Sequence, residues 1–322
     1  MLSVDTTVKK MNTNEINWIT SCLPDKFVYP YFKDKYALEL LQLAFPNKAK
    51  ITDVKQSKFA RFLNKKLLKD LLANCGSGEV DFTEGDQTWT TDTSFLRLTL
   101  SQWGDLQRWE NGNYHQVSRP ELNLVLQVNF DSAHDQHFYK TIGKEDRFYF
   151  RNTHHPEHEN YNTLGWLRLD VYLEAGEVLI EEVQSDWVKE VAHFERNLKS
   201  KPKDPECMCL ACDKPGALRS YVNHFKTYKK LWDEMILSAG IWFLVKELGV
   251  KTVWYHTFET SKHYKMMPEY SLPPRSVYSK LSERFGFEKV DETPSLIAEC
   301  KALGKLVRRA KARGMKFYKL EF

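Results

Sequence analysis

A pair of alternating segments joined by a tight turn constrains this chain more than any other feature of its sequence. Between residues 167 and 173 apolar residues alternate with polar ones (L-R-L-D-V-Y-L), and a second apolar run, V-L-I, begins at residue 178. The residues between them, E-A-G-E, are typical of a turn. Because successive side chains of a strand point to opposite faces, the pattern predicts an antiparallel hairpin over residues 167–184 with one buried face.

The periodicity elsewhere predicts helices packed on a mixed sheet. Strands are expected at residues 88–103, 122–129, 147–151, 251–256, 287–290 and 315–322. Helical spacing of apolar residues predicts helices at 36–45, 57–73, 221–248, 275–284 and 295–312, with another after residue 186. The strand at 251–256 follows a long helix, so we expect it to lie parallel to an earlier strand.

These elements define the expected fold class and domain organisation. We expect an α+β fold with a mixed, largely antiparallel sheet and helices packed against it. A helical N-terminal region at residues 1–115 would precede an α+β domain at residues 116–322, which carries a cysteine-containing insertion at 200–220.

Composition excludes several classes of protein. Apolar residues make up 42% of the 322 residues and charged residues 28%, which allows a sizeable core and argues against disorder. The longest apolar run falls well short of the roughly 20 residues that span a bilayer, so we expect no membrane partner. The first 18 residues lack the apolar stretch of a secretory signal, and six cysteines are too few for a disulfide scaffold. We therefore expect a cytoplasmic protein, whose net charge of +4 permits phosphate or nucleic-acid partners.

Residues 231–290 resemble the C-terminal half of GNAT-type N-acyltransferases. They combine a long helix, the strand at 250–256, a tyrosine-containing helix (V-Y-S-K-L) and the ending R-F-G-F. The resemblance implies a GNAT-like fold, an activated acyl donor such as acetyl-CoA, and Tyr278 as the general acid. The departure lies at residues 181–189 (E-E-V-Q-S-D-W-V-K), where the family has a glycine-rich pyrophosphate loop, Q/R-x-x-G-x-G/A. This segment has no glycine and carries carboxylates, which repel phosphate.

The same segment carries a second resemblance. Residues 182–187 resemble an E-[IV]-Q-S-D-W signature of large multidomain proteins from phages and mobile elements. That signature identifies a type of module and implies no mechanism.

The junction after the hairpin is the first candidate site. On a strand, Glu182, Gln184 and Asp186 would share one face. Glu182 or Asp186 could then act as general base on the floor of a polar pocket. We expect Gln184, Ser185, Trp187 and Arg275 to contact the substrate. In the alternative reading, Ser185 or Asp186 caps the next helix and the other side chains face solvent.

His256 and Tyr278 form the second candidate. His256 ends a strand, at the edge of the sheet where α/β proteins place ligand-facing residues. With Tyr278 on the following helix it could supply an acid–base pair for acyl transfer. A buried hydrogen-bonded pair with a purely structural role is the alternative.

Cysteine and histidine clusters form two candidate metal sites. Three thiolates and an imidazole would satisfy tetrahedral zinc, and such a set is present in Cys207, Cys209, Cys212 and His224. Free thiols are the alternative. Five histidines also fall between residues 134 and 158, beside several carboxylates, which suggests a Zn²⁺ or Fe²⁺ site, a substrate-contacting loop or a polar surface loop. They are His134, His137, His154, His155 and His158.

The C-terminus is strongly basic. Eight lysines and arginines and no carboxylate lie between residues 300 and 320. Like charges at this density favour an anionic partner, either nucleic-acid backbone or cofactor phosphates, although a solvated face remains the alternative. The residues expected to make these contacts are Lys305, Arg308, Arg309 and Arg313.

Two functions follow from these features. The first is a group-transfer enzyme of acyltransferase type, in which an amine or a nucleic-acid group attacks an activated acyl group. The second is a non-catalytic module that binds nucleic acid, with aromatic side chains stacked on bases and the basic helix on phosphates.

Overall fold

The hairpin predicted from the alternation forms the middle of a larger sheet. The computed structural model describes residues 11, 13–24, 26–76, 78–83, 92–104, 116–119, 122–152, 154–199, 209–266 and 274–322. Within these residues the strands are β1 (Val28–Tyr31), β2 (Ala49–Lys50), β3 (Glu79–Val80), β4 (Ser94–Trp103), β5 (Asn123–Asn129), β6 (Thr163–Tyr172), β7 (Glu177–Gln184), β8 (Thr252–Tyr255), β9 (Glu288–Val290) and β10 (Phe317–Glu321).

Eight of these strands form one sheet in the order β1-β4-β5-β6-β7-β8-β10-β9, while β2 and β3 pair separately. Every neighbouring pair in the large sheet is antiparallel except β7 and β8. The mixed, largely antiparallel α+β architecture, the hairpin and the parallel placement of the strand after the long helix are therefore confirmed.

Helices account for most of the remaining described chain. They are α1 (Thr13–Ser21), α2 (Lys35–Ala44), α3 (Ile51–Gln56), α4 (Lys66–Ala73), α5 (Ser132–Thr141), α6 (Asp186–Lys199), α7 (Leu210–Asp213), α8 (Pro215–His224), α9 (Lys226–Trp242), α10 (Phe258–Lys265), α11 (Arg275–Tyr278), α12 (Lys280–Arg284), α13 (Ser295–Ala298) and α14 (Gly304–Ala312).

Several expected elements differ from those observed. The strand predicted at 147–151 is wrong, because Glu145–Phe150 forms a 3-10 helix whose Phe150 ring stacks on Trp187. The helix predicted at 57–73 is interrupted at Lys65, whose backbone is extended. The helix predicted at 221–248 begins at Pro215 and is divided at Phe225, and the helix predicted at 295–312 is likewise divided. Periodicity records which residues face the core, and it does not register a short interruption between two helical segments.

The two faces of the sheet differ in chemistry. Leucine and valine side chains of one face form the main core with α9, and Gly165 and Gly240 allow the close contact. A Cβ added at Gly240 would overlap Leu167, and one added at Gly165 would overlap Ile236 and the carbonyl oxygen of Gln184. The other face carries a second apolar cluster, which includes Leu179 and Trp254, and beside it amide and charged side chains that are nonetheless buried. These polar residues include Asn123, Gln127, Arg168, Asp170, Glu182 and His256.

The N-terminal region contributes β1 and β4 to the same sheet. Its contacts with α9 include two buried carboxylates. The Glu39 carboxylate accepts hydrogen bonds from Tyr29 and, at 2.5 Å, from Ser238, whereas the Glu234 carboxylate accepts one from Tyr31 at 2.5 Å. These bonds tie β1 and α2 to α9.

Candidate active site

The parallel strands β7 and β8 separate at their C-terminal ends. Their pairing ends at Ile180 and Tyr255, and the next residues are Glu181 and His256. On the other edge of β7, Ile180 pairs with Leu169 and Glu182 with Arg168, so the strand bulges at the residue between them. Because of this bulge, Glu182 faces the same side of the sheet as Arg168, so the adjacent Glu181 and Glu182 both lie on the side that carries His256.

Glu181 is the centre of a buried polar cluster. Its carboxylate accepts hydrogen bonds from the backbone nitrogen and the hydroxyl of Ser118, each at 3.0 Å. The Nε2 atom of His256 and the Nζ atom of Lys265 each lie 3.5 Å from Glu181 Oε2. Lys265 also donates to the main-chain carbonyl of Glu181 at 2.5 Å, and Ser118 Oγ lies 2.9 Å from His256 Nε2. The side chains of Glu181, His256 and Lys265 are at most 1% exposed.

Burial and charge together set the protonation states of this cluster. Burial alone would raise the pKa of Glu181, but the nearby His256 imidazole and the charge of Lys265 hold that pKa well below its usual range. Burial lowers the pKa of His256, so its imidazole is neutral at pH 7. Burial also lowers the pKa of Lys265, against the opposing attraction of the Glu181 charge. The cluster thus joins an ionised carboxylate to a neutral imidazole.

The lowered pKa of Glu181 predicts a contribution to acid sensitivity. A carboxyl group with a depressed folded-state pKa stabilises the fold above its ordinary value of 4.5, and this stability is lost as the pH falls below that value. We expect the free energy of unfolding of the wild type to fall about 2 kcal/mol more between pH 5 and pH 3 than that of Glu181→Gln. Denaturant unfolding at both pH values measures the difference, and equal losses in the two proteins would contradict the prediction.

The start of α10 fixes the orientation of His256. Thr257 caps this helix: its hydroxyl accepts from the Thr260 nitrogen, and the Thr260 hydroxyl accepts from the Thr257 nitrogen at 2.9 Å. The same Thr260 hydroxyl lies 3.1 Å from His256 Nδ1. The other ring nitrogen, Nε2, is thereby directed at Ser118 and Glu181.

Tyr278 lies on the adjacent helix α11 and is also buried. Its hydroxyl lies 3.1 Å from the Ser261 hydroxyl of α10. Burial raises the pKa of Tyr278, and the charge of Glu182 raises it further, so the phenol keeps its proton. His256 and Tyr278 thus each contact a hydroxyl group of α10, His256 that of Thr260 and Tyr278 that of Ser261.

Residues 116–119, which we call the covering segment, bond to three charged groups of the sheet. Besides the bonds to Glu181, the Gln116 carbonyl accepts from Arg168 Nη2 at 2.6 Å. The Arg119 guanidinium donates to both oxygens of Asp170, at 2.6 and 2.8 Å. Arg168 also forms an ion pair with Glu182 at 2.7 Å. The segment thus lies directly over the polar face of the sheet.

The residues predicted to form a site at the junction after the hairpin lie in two separate places. Glu182 joins the cluster through its ion pair with Arg168. Asp186 Oδ2 instead lies 2.5 Å from His155 Nδ1, and Gln184 donates to Asp186 at 3.2 Å.

The next two junction residues stabilise the start of α6. The Ser185 hydroxyl accepts from the Val188 nitrogen at 3.0 Å and caps the helix. Trp187 is buried among aromatic rings, and its indole nitrogen donates to the Tyr221 hydroxyl at 2.7 Å. The geometry therefore favours the capping interpretation for Ser185 and a core position for Trp187.

The predicted metal ligands do not form a group of three among the described residues. Sγ atoms of Cys209 and Cys212 lie 3.5 Å apart, Cys207 lies outside the described residues, and the His224 ring stacks on His137 at 3.8 Å. In the part of the chain that the structure describes, no three histidine, cysteine, aspartate or glutamate side chains are grouped to hold a metal ion. His134 is buried against Phe130, and His158 stacks on Tyr161.

The basic side chains of α14 are exposed. The predicted contacts Lys305, Arg308, Arg309 and Arg313 all face solvent, while Val307 and Ala310 of the same helix are buried. Arg275 is also exposed, and its guanidinium lies over the Phe258 ring at 4.1 Å.

Sequence reasoning missed five members of the cluster: Ser118, Arg168, Asp170, Glu181 and Lys265. Arg168 and Asp170 occupy the polar positions of the predicted hairpin, which alternation assigns to solvent. One signal was present, because two adjacent glutamates follow an apolar strand at residues 181 and 182.

Comparisons with known proteins identify no relative. No protein-family model, curated protein or solved structure matches the chain. Among the described residues, no helix is both long and apolar enough to cross a bilayer.

Proposed function

We propose that this chain is a group-transfer enzyme of acyltransferase type, with its reaction centre where β7 and β8 separate. The observation that carries the proposal is the juxtaposition of Glu181 and His256 at the ends of the one parallel strand pair in the described sheet. Ligands of sheets with parallel strands bind beyond the carboxyl ends of those strands. The resemblance of residues 231–290 to GNAT-type acyltransferases points to the same region.

The cluster contains the groups that amide formation needs. The nitrogen of an acceptor amine attacks the carbonyl carbon of a thioester, so that a C–N bond forms and the C–S bond breaks. With its Nδ1 proton donated to the Thr260 hydroxyl, the neutral imidazole of His256 accepts at Nε2 the proton lost by the amine and then returns it to the departing thiolate. Glu181 stabilises the positive charge that develops on the nitrogen, and Tyr278, which stays protonated, donates a hydrogen bond to the sulfur.

This assignment differs from the roles expected from the sequence. Glu182 is neutralised by Arg168, and Asp186 is engaged with His155 away from the strand gap. The base is therefore His256, supported by Glu181, and Glu182 and Asp186 act as neighbouring charges.

The donor is bound without a phosphate site at the start of α6. Ser185 already satisfies the Val188 nitrogen there, and Asp186 adds a carboxylate to the first turn. A pyrophosphate at this helix end would be repelled. The proposal therefore rests on recognition of the thioester and its acyl group, with acetyl-CoA as the first donor to test.

Release of free thiol from acetyl-CoA tests the proposed function. The protein is incubated with acetyl-CoA and an amine-bearing peptide, and thiol formation and peptide mass are followed together. Thiol release matched by one acetyl group per peptide supports the proposal. No release by the wild type, and none by Arg119→Ala, in which the covering segment loses its ion pair, would refute it.

A non-catalytic nucleic-acid-binding function is the second candidate, and the exposed basic face of α14 favours it. Binding through this face would release counterions from the nucleic acid, so affinity should fall steeply as salt rises.

Charge reversal on α14 is expected to weaken such binding. The double variant Arg308→Glu/Arg309→Glu should bind single-stranded nucleic acid at least ten-fold more weakly in low salt, by fluorescence anisotropy. The double variant Lys226→Glu/Lys230→Glu makes the same charge change at exposed positions of α9 and serves as control. If both double variants weaken the affinity for nucleic acid equally, the affinity depends on net charge and not on the face of α14.

A further inference from the structure

The contacts of the covering segment match those expected for a bound peptide. Glu181 accepts from both the backbone nitrogen and the hydroxyl of Ser118, and Asp170 holds the guanidinium of Arg119 through two parallel hydrogen bonds. Arg168 donates to the carbonyl of Gln116. A backbone N–H, a backbone carbonyl and two side chains are thus each paired with a charged group of the sheet.

Fixing a loop through buried charged groups carries a large desolvation cost. Arg119, Asp170 and Glu181 are at most 1% exposed, and removing charged groups from water costs several kcal/mol for each ion. Apolar residues of similar size would hold a loop at least as well. Paired charges do provide selectivity, because a bidentate carboxylate distinguishes a guanidinium from an ammonium or a neutral group.

We propose that the covering segment fills the acceptor subsite of this enzyme, and that the true acceptor is the N-terminal α-amine of a peptide with arginine at its second position. This inference rests on the proposed function. In this arrangement the acceptor nitrogen takes the place of the Ser118 nitrogen, 3.0 Å from the Glu181 carboxylate, which also contacts His256. The second side chain takes the place of Arg119 against Asp170.

The peptide bond between Val117 and Ser118 then corresponds to the product of the reaction. In the transfer, the acceptor nitrogen forms its new bond to the acyl carbon, where Ser118 is already bonded to the carbonyl carbon of Val117. The amine proton passes to His256 and from there to the thiolate leaving group. The buried Val117 side chain occupies the place of the acyl group.

Peptide binding without any acyl donor tests the inference. The probes are the peptide Ser-Arg-Ala-Ala with a free N-terminus and a C-terminal fluorophore, and the same peptide with citrulline, a neutral isostere, in place of arginine. Fluorescence anisotropy is measured with Arg119→Ala, whose own guanidinium no longer occupies Asp170. We expect the arginine peptide to bind at least ten-fold more tightly than the citrulline peptide, and at least ten-fold more tightly to the variant than to the wild type.

Controls distinguish recognition of the peptide by Asp170 from a purely structural role of the covering segment. In the double variant Arg119→Ala/Asp170→Asn the preference for arginine should disappear. Equal binding of the two peptides to Arg119→Ala, or a preference that survives in the double variant, would overturn the inference. So would an absence of binding to variant protein that circular dichroism shows to be folded. Because no donor is present, these results do not depend on whether the protein transfers acyl groups.

Hydrogen exchange in the wild type provides a second measurement if Arg119→Ala does not fold. The Ser118 amide is protected by Glu181, and a millimolar arginine peptide that displaces the segment should speed its exchange at least ten-fold. The citrulline peptide should have little effect. Unchanged exchange with both peptides would overturn the inference.

Discussion

His256→Gln is expected to reduce kcat/KM for acyl transfer by about 10²–10⁴-fold, the range typical for loss of a general base. Glutamine can reach Ser118 with its terminal amide, but it cannot accept a proton. Because the exchange is between neutral groups, Glu181 and Lys265 keep their charges and their contact. The fold should therefore survive, and the loss should appear in the rate.

The pH dependence of the rate gives an independent check on this prediction. The wild-type rate should fall with decreasing pH only below the lowered pKa of His256, which lies under 6.5, and this acid limb should be absent in the variant. His193→Gln, at an exposed position of α6, is the control and should leave rate and pH profile unchanged. A rate loss under ten-fold in His256→Gln would assign the base to another residue.

Gly165→Ala is expected to lower the free energy of unfolding by about 3 kcal/mol, at the upper end of overpacking effects. The added methyl group would meet the Gln184 carbonyl oxygen of the neighbouring strand, which cannot move without breaking the β6–β7 pairing. It would also meet Ile236 of α9, so both the sheet and its packing would have to shift.

Two comparison variants make the prediction about Gly165 specific. The methyl group added by Gly240→Ala meets only the flexible end of Leu167, so this variant should lose less of its free energy of unfolding than Gly165→Ala. Gly216→Ala, in α8 with open space around it, should be neutral or stabilising by about 0.5–1 kcal/mol. Denaturant unfolding measures the free energy of unfolding of the three variants. A decrease of less than 1 kcal/mol for Gly165→Ala would contradict the prediction.

The elements with strong periodicity could be predicted from the sequence, and the long-range polar contacts could not. The alternation at residues 167–184 depends only on neighbours along the chain, and the hairpin formed as predicted. The contact between Ser118 and His256 joins residues 138 positions apart, and no local pattern encodes it. Only folding of the sheet brings such groups together.

The candidate site illustrates why a single irregularity can misplace a prediction. The sequence indicates that the junction after the hairpin is polar, but the alternate residues that it groups on one face, Glu182, Gln184 and Asp186, leave out Glu181. The bulge in β7 adds one residue to the strand and turns Glu182 to the face of Arg168, so that it lies beside Glu181, which contacts Ser118 and His256. Likewise, alternation cannot distinguish a solvated face from a buried polar one, so Arg168 and Asp170 were assigned to water.

The continuity of the sheet across the N-terminal region limits how the chain can be truncated. A fragment that begins after residue 115 would lack β1 and β4 and leave β5, rich in valine and leucine, as an open edge. Such edges recruit strands from other molecules. Glu234 of α9 would also lose its Tyr31 partner. Insolubility of such a fragment would therefore result from the loss of two strands of the sheet, and would carry no information about catalysis.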